Sequence, residues 1–191
     1  MNRRKFLKHA AVTSVALGSF EALAGSALAD EGKKRYHFLV LSRDGGGKGP
    51  EGVIISGEGS FGSGRVSGGG VFDHFKFMPP APFPVLATGT WKAKKFVSFT
   101  LAPIHPASNP EGRHGVFQGG TLTLMADFFP QGHAPVRGVE LEIACNLGPA
   151  GAQTGKEEGV IVMLPDGHEF EPTIPTTGVT AISTEREDDD D

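Results

Sequence analysis

The stretch Thr121-Leu122-Thr123-Leu124-Met125-Ala126-Asp127-Phe128-Phe129 alternates with a period of two. Leu122, Leu124, Ala126 and Phe128 fall on one face, and Thr121, Thr123, Met125 and Asp127 on the other. Side chains of a strand point alternately to the two faces of its sheet, so this pattern is a strand with one face buried and one in water. Further on, Val139, Leu141, Ile143 and Cys145 oppose Glu140, Glu142 and Asn146 in the same way. Upstream, Trp91, Ala93, Val97, Phe99 and Leu101 line up, with Lys95 breaking the row. One-sided strands of this kind belong to antiparallel sheets.

Working outward, strands are predicted over 36–42, 53–61, 65–77, 90–101, 121–129, 136–147, 160–164 and 169–173. No stretch carries a long helical period. Pro165-Asp166-Gly167 is a tight hairpin signal, and 43–52, 78–88, 102–119 and 148–158 are longer Gly- or Pro-rich loops. The expected fold is all-β: an antiparallel β-sandwich or small β-barrel of about eight strands. If consecutive strands run antiparallel, the 102–119 and 148–158 loops share one end of the fold. His133 and His168 then lie at the other end, with the 43–52 and 78–88 loops.

The chain has 191 residues, with 28 Gly, 14 Pro and 14 Phe but one Trp, one Tyr and one Cys, a length that suits one domain. With 38% hydrophobic residues it can bury a core, which excludes wholesale disorder. A formal charge of -4 gives no electrostatic basis for nucleic-acid binding.

Residues 1–29 differ from the rest. Arg3, Arg4, Lys5 and Lys8 precede an uncharged run over 10–20, and Ala27-Leu28-Ala29 closes the segment, the order of a secretory signal. The run is about half the roughly twenty residues that a membrane-spanning helix needs. Asn2-Arg3-Arg4-Lys5-Phe6-Leu7-Lys8 resembles the twin-arginine motif, with Arg3, Arg4, Phe6, Leu7 and Lys8 in place and Asn2 departing from the usual Ser or Thr. The resemblance covers the signal alone. It implies a prokaryotic protein that crosses the membrane folded through the twin-arginine translocase, with cleavage after Ala29 and a periplasmic or extracellular destination. The chain thus divides into three parts: the signal over 1–29, a single β domain over 30–184, and an acidic disordered tail over 185–191 with six acids and one Arg. No permanent membrane anchor is expected, and Cys145 has no partner for an internal disulfide.

Among candidate chemical groups, His105, Glu111 and His114 stand out, because two imidazoles and a carboxylate in one loop could hold Zn or Cu with an open position. The alternative is that they are solvated loop residues. His133 with His168 is a weaker pair. In Gly70-Val71-Phe72-Asp73-His74-Phe75-Lys76-Phe77, Asp73 and His74 point to opposite faces, and Asp73 shares its face with Val71, Phe75 and Phe77. Either Asp73 meets Lys95 as a buried pair, or these breaks mark a bulge or sheet rim. Arg43-Asp44-Gly45-Gly46-Gly47-Lys48-Gly49 lacks phosphate-loop spacing and reads as a flexible connection. Gly57, Gly59 and Gly68-Gly69-Gly70 signal bulges or close backbone contacts. Cys145 faces inward as an inert thiol.

No catalytic constellation emerges. The expectation is a non-enzymatic exported β-domain that binds something or serves as a structural or accessory subunit, with a protein partner as one option and no cofactor. The alternatives are a Zn or Cu protein on the loop histidines and a barrel holding a small apolar ligand among its phenylalanines.

Overall fold

The computed structural model describes residues 33–78, 80–102, 111–112, 115–146 and 155–184. The signal over 1–29, the pair His105 and His114, and the tail 185–191 lie outside the described residues.

The alternating segments form long antiparallel strands: β1 (Lys34–Arg43), β2 (Glu51–Gly62), β3 (Arg65–Lys76), β4 (Val85–Leu101), β7 (Gly120–Pro130), β8 (Val136–Cys145), β9 (Gly159–Met163) and β10 (Glu169–Thr184). They close into a barrel in the order β1-β10-β9-β8-β7-β4-β3-β2. Between β4 and β7, β5 (Glu111–Gly112) and β6 (Gly115–Val116) pair as a small separate hairpin. The fold is the all-β, barrel-like class that the period-two segments predict. Consecutive barrel strands are antiparallel, so the 44–50, 77–84, 131–135 and 164–168 connections gather at one end, here called the upper end.

Inside, one residue in two along each strand forms the core. Tyr36, Phe38, Val40, Ile55, Leu122, Leu124, Val139, Leu141, Ile143, Val160 and Ile182 are removed from water. Each large side chain of this kind contributes about 1.5–3 kcal/mol by burial. A column of rings runs through the interior: Phe99 on Phe61 (4.9 Å between centroids), Phe61 on Tyr36 (6.4 Å), Tyr36 on Phe38 (6.3 Å), Phe38 on Trp91 (5.8 Å), Trp91 on Phe128 (6.5 Å) and Phe128 on Phe72 (4.9 Å).

Space for the two largest rings comes from glycine. Gly57 pairs with Gly70 and Gly59 with Gly68 across β2 and β3. A Cβ on Gly57 would strike the Trp91 indole, and one on Gly59 or Gly68 would strike the Tyr36 phenol. The freed room lets Tyr36 donate its hydroxyl to the Ser67 carbonyl at 3.1 Å. These are the close contacts that the glycine runs signal.

Three features depart from the sequence reading. In β4 the register shifts between Ala93 and Lys95 and again between Phe96 and Ser98. The two bulges reset the alternation, so Phe96 packs against the core while Lys95 points out and Val97, read as inward, is 46% exposed. Lys95 therefore marks a bulge, the second of the two options. Asp73 is exposed on the outer face, so no buried Asp73–Lys95 pair exists. Its neighbour Phe75 is buried from outside, with Phe77 at 4.9 Å and Phe83 at 6.2 Å. The third departure is the 43–49 segment, an anchored turn rather than a loose connection. Gly45 (φ 58°) and Gly46 (φ 69°) are left-handed, Arg43 donates from Nε to the Gly49 carbonyl at 3.1 Å, and its guanidinium lies 4.0 Å over the Phe77 ring.

Candidate functional site

At the upper end the barrel interior opens into a recess of about 260 Å³. Val53, Phe72 and Phe128 form its floor, Val136, Val162, Leu164 and Phe170 one flank, and Leu86, Ala87 and Pro130 the other, with His74 and His133 as its polar members. The room comes from β4, whose inward residues here are small: Gly89 stands across from Phe72 and Ala87 across from His74. In the layer beneath, Trp91 is buried between Phe38 and Phe128.

His74 reaches the recess because it follows Phe72 at period two on the inner face of β3. Val53 is its cross-strand partner, which makes Glu51 its diagonal neighbour on the same face. The Glu51 carboxylate lies 3.0 Å from Nε2 of His74, with the two side chains 30% and 26% exposed. Glu51 does not itself line the recess. A carboxylate at this distance accepts the Nε2 proton, which assigns the lone pair of the neutral ring to Nδ1. The imidazole is also held edge-on against Phe170, at 5.4 Å and 77°, and Phe170 carries the His168 ring stacked at 4.6 Å on top of it. His74 is thus fixed on two sides, and His133 is the other polar member of a lining otherwise made of hydrocarbon.

The placement of the other histidines agrees with the strand count. His133 and His168 are at the upper end, as the alternation of loops predicts, but only His133 lines the recess. His37 is on the outer wall, 3.8 Å from Glu58, both well exposed. The Glu111 backbone lies in β5, at the lower end. Among the described residues, no group of three His, Cys, Asp or Glu side chains is arranged to hold a metal ion. Cys145 is buried as expected: its thiol donates toward the Thr180 carbonyl at 3.6 Å, and desolvation holds it protonated above the usual thiol range. A larger groove of about 730 Å³ runs from Lys33, Arg35, His37 and Glu58 to Ser67, Phe117 and Ser183, and those charged side chains set it apart from the recess, which no Lys, Arg, Asp or Glu lines.

The Glu51–His74 pair is the arrangement that the sequence reading misses. Its signal lies in the Gly62-Ser63-Gly64-Arg65 turn. Gly62 pairs with Arg65 around two left-handed residues, Ser63 (φ 48°) and Gly64 (φ 71°). That turn fixes the register of the whole hairpin, and counting back from it brings Val53 opposite His74 and Glu51 beside it.

Neither a family model nor a curated protein nor a solved structure matches this chain.

Proposed function

We propose that the protein is an exported, non-enzymatic binding protein whose barrel mouth takes a small apolar molecule. The observation that carries this reading is the contrast within one interior: a buried aromatic column beneath, and above it a recess walled by Phe72, Phe128, Phe170 and aliphatic side chains. Packed cores leave few voids larger than a water molecule. An apolar chamber with a few convergent polar groups is the usual form of a ligand site. At about 260 Å³ it lies just under the usual range of roughly 300–1,000 Å³, which fits a compact ligand of one or two rings. Export through the twin-arginine translocase, inferred from Arg3, Arg4, Phe6, Leu7 and Lys8, gives the binding a periplasmic or extracellular setting.

Trp91 supplies the readout, since it is the sole tryptophan and stacks on Phe128 in the recess wall. Titration of the mature protein with naphthalene should change Trp91 emission with saturation at one molecule per chain. Ala87→Leu, which fills the chamber from the β4 side, should abolish the change without lowering the melting temperature. Absence of saturable binding, or binding indifferent to Ala87→Leu, overturns the proposal.

A further inference from the structure

Resting on that reading of the recess, we infer that its ligand is a neutral aromatic alcohol, held by a hydrogen bond from its hydroxyl to Nδ1 of His74. Three observations select this chemistry. The walls include Phe72, Phe128 and Phe170, with Phe170 held between the edge of His74 and the face of His168, a setting that suits a planar ring. In the neutral ring the Glu51 carboxylate 3.0 Å behind His74 takes the Nε2 proton, so the nitrogen left to a ligand is an acceptor and suits a ligand that donates. The same carboxylate, and the hydrocarbon around it, select the charge. An anionic ligand would meet a negative group just behind the imidazole, and a cationic one would lose its hydration among phenyl rings with no carboxylate lining the chamber. A hydroxyl on an aromatic ring is a neutral donor with an apolar body, and it meets each condition.

Glu51 is then a positioning residue. It touches no ligand, but it sets which nitrogen of His74 is the acceptor and which way the ring faces, as an outer carboxylate does for a histidine that binds a metal. His74 distinguishes a hydroxylated ring from the same ring without the donor.

Comparison of 2-naphthol with 2-methoxynaphthalene tests this on the unaltered protein, because the ether keeps the rings and loses only the donor. The alcohol should bind about tenfold more tightly, the effect of one good hydrogen bond. His74→Phe should bring the two to equal affinity while 2-methoxynaphthalene still binds, and Glu51→Ala should reduce the preference with the ether unaffected. Equal affinity in the unaltered protein overturns the inference and leaves the apolar chamber standing. A preference that survives His74→Phe overturns the assignment to His74. Binding of neither compound overturns both this inference and the reading of the recess beneath it.

Discussion

The indole of Trp91 reaches across β3 to β2, where Nε1 donates to the Ser56 carbonyl at 2.9 Å and the six-membered ring occupies the volume that a side chain at Gly57 would need. Gly57→Ala should therefore overpack the barrel and cost about 1–3 kcal/mol. Urea unfolding followed by circular dichroism measures this directly. Because Gly57 shows no left-handed backbone, the penalty is steric alone, and Trp91→Leu should relieve part of it in the double variant. A Gly57→Ala protein as stable as the parent would refute the account of the glycine runs.

Asp127 sits on the outer face of β7 yet is only 6% exposed. Its carboxylate accepts the Gly138 backbone N–H at 3.3 Å and faces the Arg137 guanidinium at 3.4 Å. Asp127→Ala leaves the Gly138 donor unpaired and should cost about 1–3 kcal/mol. Arg137 is 75% exposed, so Arg137→Ala should cost less than about 1 kcal/mol, as surface ion pairs do. Thermal unfolding of the two variants separates the backbone bond from the ion pair.

Tyr36 is the sole tyrosine, and burial pushes its phenol well above the ordinary value of 10.0. Above pH 10.0 the unfolded chain loses the phenolic proton while the folded one retains it, so folding stability falls as pH rises past 10.0, by about 1.4 kcal/mol per pH unit. Spectrophotometric titration should show no phenolate in the folded protein at about pH 11 and a full tyrosine step once urea is added. Tyr36→Phe should flatten that part of the stability–pH curve.

Desolvation likewise keeps Cys145 protonated. An aromatic disulfide reagent at about pH 8 should leave the native protein unlabelled for hours and modify one thiol per chain at once in denaturant. Rapid labelling of the native state would place Cys145 outside the core.

The proposed export route is tested by replacing Arg3 and Arg4 with Lys. The precursor should then remain uncleaved in the cytoplasm of a competent host, while the parent appears in the periplasm shortened by residues 1–29.

Much of the barrel is legible in the sequence because its strands are one-sided. Leu122 to Phe128 and Val139 to Cys145 state their inner faces without help from the rest of the chain. Two kinds of information are not local. The phase of β4 beyond Ala93 depends on bulges that only the pairing with β7 defines, so Val97 reads as inward and is not. The second half of β10 contains Pro175 and Gly178, which break any strand pattern, and the predicted strand stops at residue 173. In the barrel, Leu41 pairs with Thr177 and Ser42 with Pro172, so Pro175 falls in an excursion of the strand. Thr177 N–H donates to Thr173 Oγ1 at 3.1 Å, and Thr176 Oγ1 donates to the Glu158 carbonyl at 2.9 Å, which ties that excursion down. The Glu51–His74 pair is hidden for a related reason. Adjacency in sequence points to Asp73 beside His74, whereas the partner lies one hairpin away.

β1 and β10 are neighbours in the closed sheet, with Lys34 opposite Thr184. β1 thus waits for β10. While the chain is still on the ribosome, β1 has one bare edge and the ring column is open to water along that seam. Closure joins segments far apart in the sequence, with Lys34 opposite Thr184, the kind of non-local pairing that folds slowly. The barrel cannot close until β10 has been made, because β10 supplies the second neighbour of β1. A transport system that accepts finished, watertight molecules suits such a timetable, because a barrel still lacking β10 would offer a row of unpaired backbone groups to any neighbour.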